Sequence, residues 1–88
     1  MKLSYEVYVR HEVYQALTIV RGRNRERVLS FIESLANDPF KKGDASEQDS
    51  AGRRHQIKIF GKLALYYWPD HAEKEVRIVD LIDADSHR

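Results

Sequence analysis

Residues 52–71, GRRHQIKIFGKLALYYWPDH, contain two short apolar runs separated by Gly61 and Lys62. β-Branched and aromatic residues dominate both runs, and a two-residue break containing glycine is typical of a β-hairpin. Cationic side chains surround the first run, and the second ends in Tyr66, Tyr67 and Trp68. The stretch therefore predicts a hairpin with two alternative uses for its charged face, solvation or RNA binding.

The residues before the hairpin carry the apolar spacing of two helices. Gly22 separates them, and Asn24 is predicted to cap the second helix, with Glu26 in its first turn. Pro39 disfavours helical backbone at Asp38 and should end it. The apolar stripes are Val13, Ala16, Leu17 and Val20 in the first helix, and Val28, Phe31, Ile32 and Leu35 in the second.

Two further strands complete the predicted fold. Residues 2–9 alternate apolar and polar side chains, and residues 75–82 form a third run after the hairpin. Residues 40–52 are polar and are predicted to form one long loop. The element order β-α-α-β-β-β predicts an α+β fold in one domain over residues 1–88, an antiparallel sheet with a helical hairpin packed on one face.

Composition excludes several classes of protein and site. The chain has no cysteine, which rules out disulfides and thiolate metal sites. No apolar run approaches the roughly 20 residues that span a bilayer, and the N-terminus lacks the apolar core of a signal peptide. Glycine-rich phosphate loops, serine nucleophile motifs and metal-ligand spacings are also missing, and the four histidines are scattered. We expect a cytoplasmic protein with no membrane association, no metal and no cofactor.

The charge is uneven along the chain. Residues 39–62 carry six Lys/Arg and three Asp/Glu, a net charge of +3, whereas residues 63–88 carry three and six, a net charge of −3. The basic middle is either a phosphate-facing patch or a solvated strand face. Four alternating arginines near the helix turn fan out around the second helix, which favours solvation over one shared ligand. They are Arg21, Arg23, Arg25 and Arg27.

Lys58 is the most specific candidate in the hairpin. If Ile57 and Ile59 face the helices, Lys58 stands on the open face of the sheet. Arg53 and Arg54 precede the same strand, and with Lys58 they would hold a phosphate and stabilise charge developing on it. The alternative is a basic face kept soluble by lysine.

The aromatic residues of the second hairpin strand divide between two faces. Leu63, Leu65 and Tyr67 share one face, and Ala64, Tyr66 and Trp68 share the other. Tyr66 and Trp68 would either stack on RNA bases or pack against a loop or a partner chain.

Taken together, VLSFIESLANDPF, the following GD, and the segment from GRRHQIKIF to LIDAD resemble the RelE/ParE superfamily of type II toxin–antitoxin toxins. The resemblance covers nearly the whole chain. It implies a cognate antitoxin partner that wraps the toxin. In RelE-like members it also implies metal-independent cleavage of mRNA on the ribosome, with the RNA 2′-hydroxyl as nucleophile. ParE-like members instead inhibit DNA gyrase.

The resemblance transfers to only some positions. Lys58 matches the catalytic-face lysine of RelE-like toxins, whereas Gln56 and Leu63 stand where basic residues are expected. The resulting assignment makes Lys58, Arg54 and His87 catalytic, with Asp85 as another candidate general base, and Arg53, Lys62, Tyr66 and Trp68 RNA-binding. The chain is thus expected to be an mRNA-cleaving toxin, a gyrase-directed toxin or an inactive homologue.

Overall fold

A five-stranded sheet and two helices make up the computed structural model, which describes residues 5–83. The helices, which precede all but the first strand, are α1 (His11–Leu17) and α2 (Arg23–Ser34). The strands are β1 (Glu6–Val9), β2 (Ala45–Gln48), β3 (Arg54–Phe60), β4 (Leu63–Asp70) and β5 (Glu75–Asp83).

The sheet is mixed, with the strand order β1-β5-β4-β3-β2. The pairs β2–β3, β3–β4 and β4–β5 are antiparallel, and β1 runs parallel to β5. The predicted α+β class and the helical hairpin are confirmed. The prediction of a wholly antiparallel sheet was wrong at β1, because in the described sheet β1 pairs with the last strand, β5, and the two strands run in the same direction.

Strand β2 lies inside the segment predicted to be a loop. Its four residues, ASEQ, are all exposed and lack the apolar alternation by which strands are recognised. It forms because its backbone pairs with the outer edge of β3, where Ser46 lies opposite Gln56. The predicted element order therefore lacked one strand.

The turn between the helices depends on Gly22 and Arg25. Gly22 occupies the N-cap position of α2 at a φ of 69°, a left-handed conformation that favours glycine, and no side chain caps the helix. The predicted cap at Asn24 was therefore wrong, because Asn24 already lies in the first turn. Arg25 turns back and its Nη1 donates to the carbonyl of Leu17 at the end of α1. The guanidinium thus caps α1 and is turned away from the other three arginines near the turn.

The core lies between the helices and one face of β4 and β5. The predicted helical stripes are confirmed, since Val13, Val28 and Leu35 are fully buried and Phe31 packs at the margin. Leu65 and Tyr67 are also fully buried, so the face that they were predicted to share is the one that packs in the core. This core leaves the opposite face of the sheet without a helical cover in the described part of the chain. No helix of residues 5–83 is long and apolar enough to cross a membrane.

Candidate functional site

The residues predicted to form one site lie on opposite faces of the sheet. In the β3–β4 register, Lys58 lies opposite Leu65, and Phe60 lies opposite Leu63. Because residues directly opposite one another share a face, Lys58 lies on the helix side. The isoleucines therefore do not face the helices, which was the condition for placing Lys58 on the open face. Phe60 decides the orientation of the strand by packing 5.6 Å from the ring of Phe31, centroid to centroid.

Lys58 stands at the margin of the helix-side core. Its Nζ is 3.5 Å from a carboxylate oxygen of Asp44 and 5.9 Å from the centroid of the Phe31 ring. The aliphatic stem covers apolar surface while the ammonium group stays partly in solvent. The pKa of Asp44 is lowered chiefly by the hydrogen bond that its carboxylate accepts from the backbone N–H of Ile59, and secondarily by the charge of Lys58.

Arg54 lies at the start of β3 and is exposed. Its Nη1 donates to the hydroxyl of Ser46 on β2 at 2.9 Å. Arg54 is two strand steps from Gln56 and four from Lys58, so the three share a side of the strand. The predicted pair of Lys58 and Arg54 is thus retained on one face, but Arg53 is directed to the other.

On the open face, Arg53 and Trp68 form a close contact. The guanidinium carbon of Arg53 lies 4.0 Å from the centroid of the Trp68 ring, within the range of a cation–π interaction. Tyr66 lies opposite Ile57 on the same face. The structure therefore brings Arg53, Tyr66 and Trp68 together around one depression, while their predicted role as RNA contacts stays a prediction. A base that stacks on this side of Trp68 must first displace Arg53.

A histidine–aspartate pair adjoins this cluster and was missed by sequence reasoning. Nε2 of His55 lies 3.0 Å from Oδ2 of Asp49, and both side chains are partly buried. The other oxygen of Asp49 accepts the backbone N–H groups of Ala51 and Arg53. These bonds, led by that from Arg53, lower the pKa of Asp49 and hold it as a carboxylate beside the imidazole. The six-residue spacing across a polar turn was the only sequence signal.

Arg77 lies on the open face, opposite Trp68 in the pairing of β4 with β5. Its guanidinium carbon lies 5.5 Å from the ring centroid of Tyr8 and 5.9 Å from that of Trp68. Its Nη2 pairs with Glu75 at 3.0 Å. Its Nε is buried and lies 3.3 Å from an oxygen of Asp70, close enough for an ion pair, but it forms no hydrogen bond within residues 5–83. Since two carboxylates surround Arg77, we assign it a structural role.

A depression on the open face has nearly balanced charge. Its lining includes three basic residues, Arg10, Arg53 and His55, and three acidic residues. Arg53 is the notable cation, because no carboxylate in the described part of the chain pairs with its guanidinium. The acidic residues are Glu47, Asp49 and Asp80.

Of the remaining predicted site residues that the structure describes, Lys62 joins neither cluster. Lys62 lies in the β3–β4 turn, beside a depression shared with Asn24 and Asp83. His87 and Asp85 lie outside the described residues. Within residues 5–83, no group of three His, Asp or Glu side chains has the arrangement of a metal site.

Comparison with known proteins identifies the fold. No protein-family model and no curated protein matches the chain significantly. Solved structures do match. A crystal structure of the archaeal RelE–RelB complex from Pyrococcus horikoshii gives a TM-score of 0.75 at 18% identity, covering 92% of this chain and 96% of that chain.

Two bacterial structures have the same architecture. The RelBE2 toxin–antitoxin complex from Mycobacterium tuberculosis gives a TM-score of 0.72 at 18% identity, covering 91% of this chain and 98% of that one. A mutant of the E. coli toxin RelE in the free state gives 0.68 at 10% identity, covering 96% and 87%. The chain has a RelE-like fold, which confirms the resemblance at the level of structure.

Proposed function

We propose that this chain, which has a RelE-like fold, is the toxin of a type II toxin–antitoxin system that inhibits translation by cleaving mRNA on the ribosome. The match extends over nine-tenths of the chain and nearly all of the archaeal RelE–RelB chain it aligns with. Two of the matched structures are complexes of a toxin with its antitoxin. We accordingly propose that a cognate antitoxin binds and neutralises this chain.

The open face supplies the groups that such a cleavage needs. With Nε2–H donating to Asp49, a neutral His55 presents Nδ1 as a base for the RNA 2′-hydroxyl. The 2′-oxygen then bonds to the adjacent phosphorus, and the bond to the 5′-oxygen breaks. The proton taken up by His55 passes to the departing 5′-oxygen, which leaves a 2′,3′-cyclic phosphate and a 5′-hydroxyl. The proposal of RNA cleavage rests on one observation, that Arg53 lies beside the His55–Asp49 pair.

Arg53 is proposed to bind the scissile phosphate. A guanidinium forms paired hydrogen bonds to phosphate oxygens and stabilises charge that develops on them. Its cation–π contact with Trp68 orients it before RNA binds. Tyr66 extends the surface toward β3, and Lys62 at the hairpin turn is a further proposed RNA contact. Lys58 and Arg54 lie on the other face of the sheet, and there they are proposed to contact RNA away from the scissile phosphate.

Ribosome-bound mRNA incubated with purified toxin tests the proposal. Primer extension should show new 3′ ends with the wild-type chain, and His55→Asn should slow cleavage by roughly 10²–10⁴-fold because the base is lost. Arg53→Gln should also slow it, whereas Lys74→Gln, in the exposed β4–β5 turn, serves as a matched charge-loss control. Growth arrest with intact mRNA would reject the cleavage mechanism while leaving toxicity established.

The separation of Lys58 from Arg53 favours one second candidate. A toxin that acts by docking needs no catalytic constellation on one face, and a ParE-like inhibitor of DNA gyrase would have this property. In that case a supercoiling assay should show inhibition by both the wild-type chain and His55→Asn. Unchanged gyrase activity at saturating toxin would eliminate this candidate.

A further inference from the structure

A basic groove runs along α2 on the side of the sheet opposite Arg53. The groove has a volume of about 560 Å³ and lies between α2, the segment after it and the end of β3. We call it the α2 groove. The residues of its wall that bear on binding are Arg23, Arg27, Ser30, Ser34 and Lys41, and Phe31 lies at its floor.

Two lysines flank the floor of the α2 groove. Nζ of Lys41 lies 5.2 Å from the centroid of the Phe31 ring and donates to the hydroxyl of Ser34 at 3.0 Å. Nζ of Lys58 lies 5.9 Å from the same centroid. Two ammonium groups from separate segments of the chain therefore lie close to the ring of Phe31.

Two arginines add a regular row along the helix. Arg23 and Arg27 are four residues apart on α2, so they lie on the same side of the helix, about 6 Å apart along its axis. Arg25 is absent from the row because it caps α1. Thus the structure selects two members of the arginine cluster for one groove, where the sequence predicted that all four would fan out.

The electrostatic balance of the α2 groove is positive. Glu26 is the acidic residue among its lining side chains, and Asp44 offsets Lys58 from outside. The open face has three acidic residues against Arg10, Arg53 and His55. A long polyanion is therefore attracted more strongly to the α2 groove than to the open face.

We propose that the α2 groove binds the sugar–phosphate backbone of single-stranded RNA. This inference rests on the proposed function for the identity of its partner. Guanidinium, ammonium and serine hydroxyl groups are the side chains that contact phosphate in nucleic-acid complexes, and the groove contains all three. Ser30 supplies the hydroxyl, because that of Ser34 already donates to the carbonyl of Phe31. The 12 residues of α2 extend about 18 Å, long enough for successive phosphates to be contacted. RNA held there approaches the open face around the β2–β3 edge.

Binding of a fluorescent 12-nucleotide 2′-O-methyl oligouridylate tests this proposal. The methyl group blocks the 2′-oxygen, so the oligonucleotide cannot be cleaved and the assay measures binding alone. Failure of RNA binding in this assay is therefore distinguishable from failure of the cleavage proposal. Anisotropy should be measured from 50 to 200 mM salt for the wild-type chain, for Arg23→Gln/Arg27→Gln, and for Arg21→Gln/Lys74→Gln as a control with the same loss of charge. Circular dichroism verifies that each variant is folded.

The groove variant should lose about tenfold or more in affinity at 50 mM salt. Removing two phosphate contacts should also make the slope of log affinity against log salt shallower by about 1.4. Equal losses in the control variant would show a general charge effect and overturn the proposal. A poly-glutamate peptide that binds as tightly as the RNA and depends equally on Arg23 and Arg27 would assign the groove to an acidic protein segment.

Discussion

At the scale of the residue, Tyr67 joins the core to the α2 groove. Its ring is fully buried and packs edge-on against Phe31 at 5.4 Å, and its hydroxyl donates to the carbonyl of Lys41 at 2.9 Å. This bond fixes the backbone of a residue that lines the α2 groove. Burial raises the pKa of Tyr67 to about 12, and the charges of Asp44 and Asp38 act in the same direction.

Replacing Tyr67 with Phe should reduce stability by about 1 kcal/mol, because a buried hydrogen bond is lost while the ring remains. The raised pKa adds an alkaline effect. Stability that is present below pH 10 should be lost as the pH rises toward 12, because the unfolded chain deprotonates first. Urea unfolding at pH 7 and at pH 11 should show a smaller alkaline loss in Tyr67→Phe. An equal loss in both proteins would contradict the assignment.

Lys58 shows what alternation in a sequence leaves undetermined. Both sides of β3 carry apolar residues, Ile57 and Ile59 on one and Phe60 on the other, so a period of two is compatible with either orientation. Phe60 is the residue of β3 that enters the core, because Phe31 of α2 packs against it at the end of the strand. By contrast, Leu63, Leu65 and Tyr67 were correctly predicted to share one face of β4, and the structure shows that this is the buried face.

At the scale of the element, the segment before β2 is held against β3 at close range. A Cβ at Gly43 would lie 2.4 Å from the carbonyl oxygen of Ile57, which is too close for any side chain. The backbone N–H of Asp44 donates to that carbonyl at 2.7 Å, and its carboxylate accepts the N–H of Ile59 at 2.8 Å. The segment therefore continues the pairing of β2 along β3. Its polar sequence predicted a loop because these bonds depend on tertiary proximity.

Gly43→Ala should destabilise the protein by about 1–3 kcal/mol, the usual cost of forcing additional atoms into packed structure. The backbone of β3 cannot yield without disturbing its pairing with β4. Lys42→Ala is the matched control, since this neighbouring side chain is exposed. Chemical denaturation of both variants measures the difference. Wild-type stability in Gly43→Ala would contradict the close approach of residue 43 to the backbone of Ile57.

At the scale of the whole molecule, the sheet separates two surfaces of different character. One surface combines Arg53, Trp68 and the His55–Asp49 pair, and the other is the α2 groove with Lys58 at its margin. The sequence contained the cations of both, but it could not assign them to faces. The His55–Asp49 pair was missed for a related reason: a turn brings the two together, and neither residue forms a recognisable motif alone.

Acid should weaken the whole fold through the β2–β3 region. The pKa values of Asp44 and Asp49 are lowered by backbone N–H groups, from Ile59 and Arg53 respectively. A lowered pKa gives stability that is complete above the unfolded value of about 3.9 and is lost as the pH falls through the folded value. Thermal unfolding between pH 6 and pH 2.5 should show this decline, and Asp49→Asn should flatten it. A parallel decline in that variant would exclude Asp49 as a source.

Trp68 gives the open face a built-in spectroscopic reporter. It is the only tryptophan of the chain, and its ring is covered by the guanidinium of Arg53. The emission of the native protein on excitation at the red edge of the absorption band therefore originates from this one face. Occupancy of the open face can be followed without a label, whereas a ligand confined to the α2 groove lies across the sheet from the fluorophore.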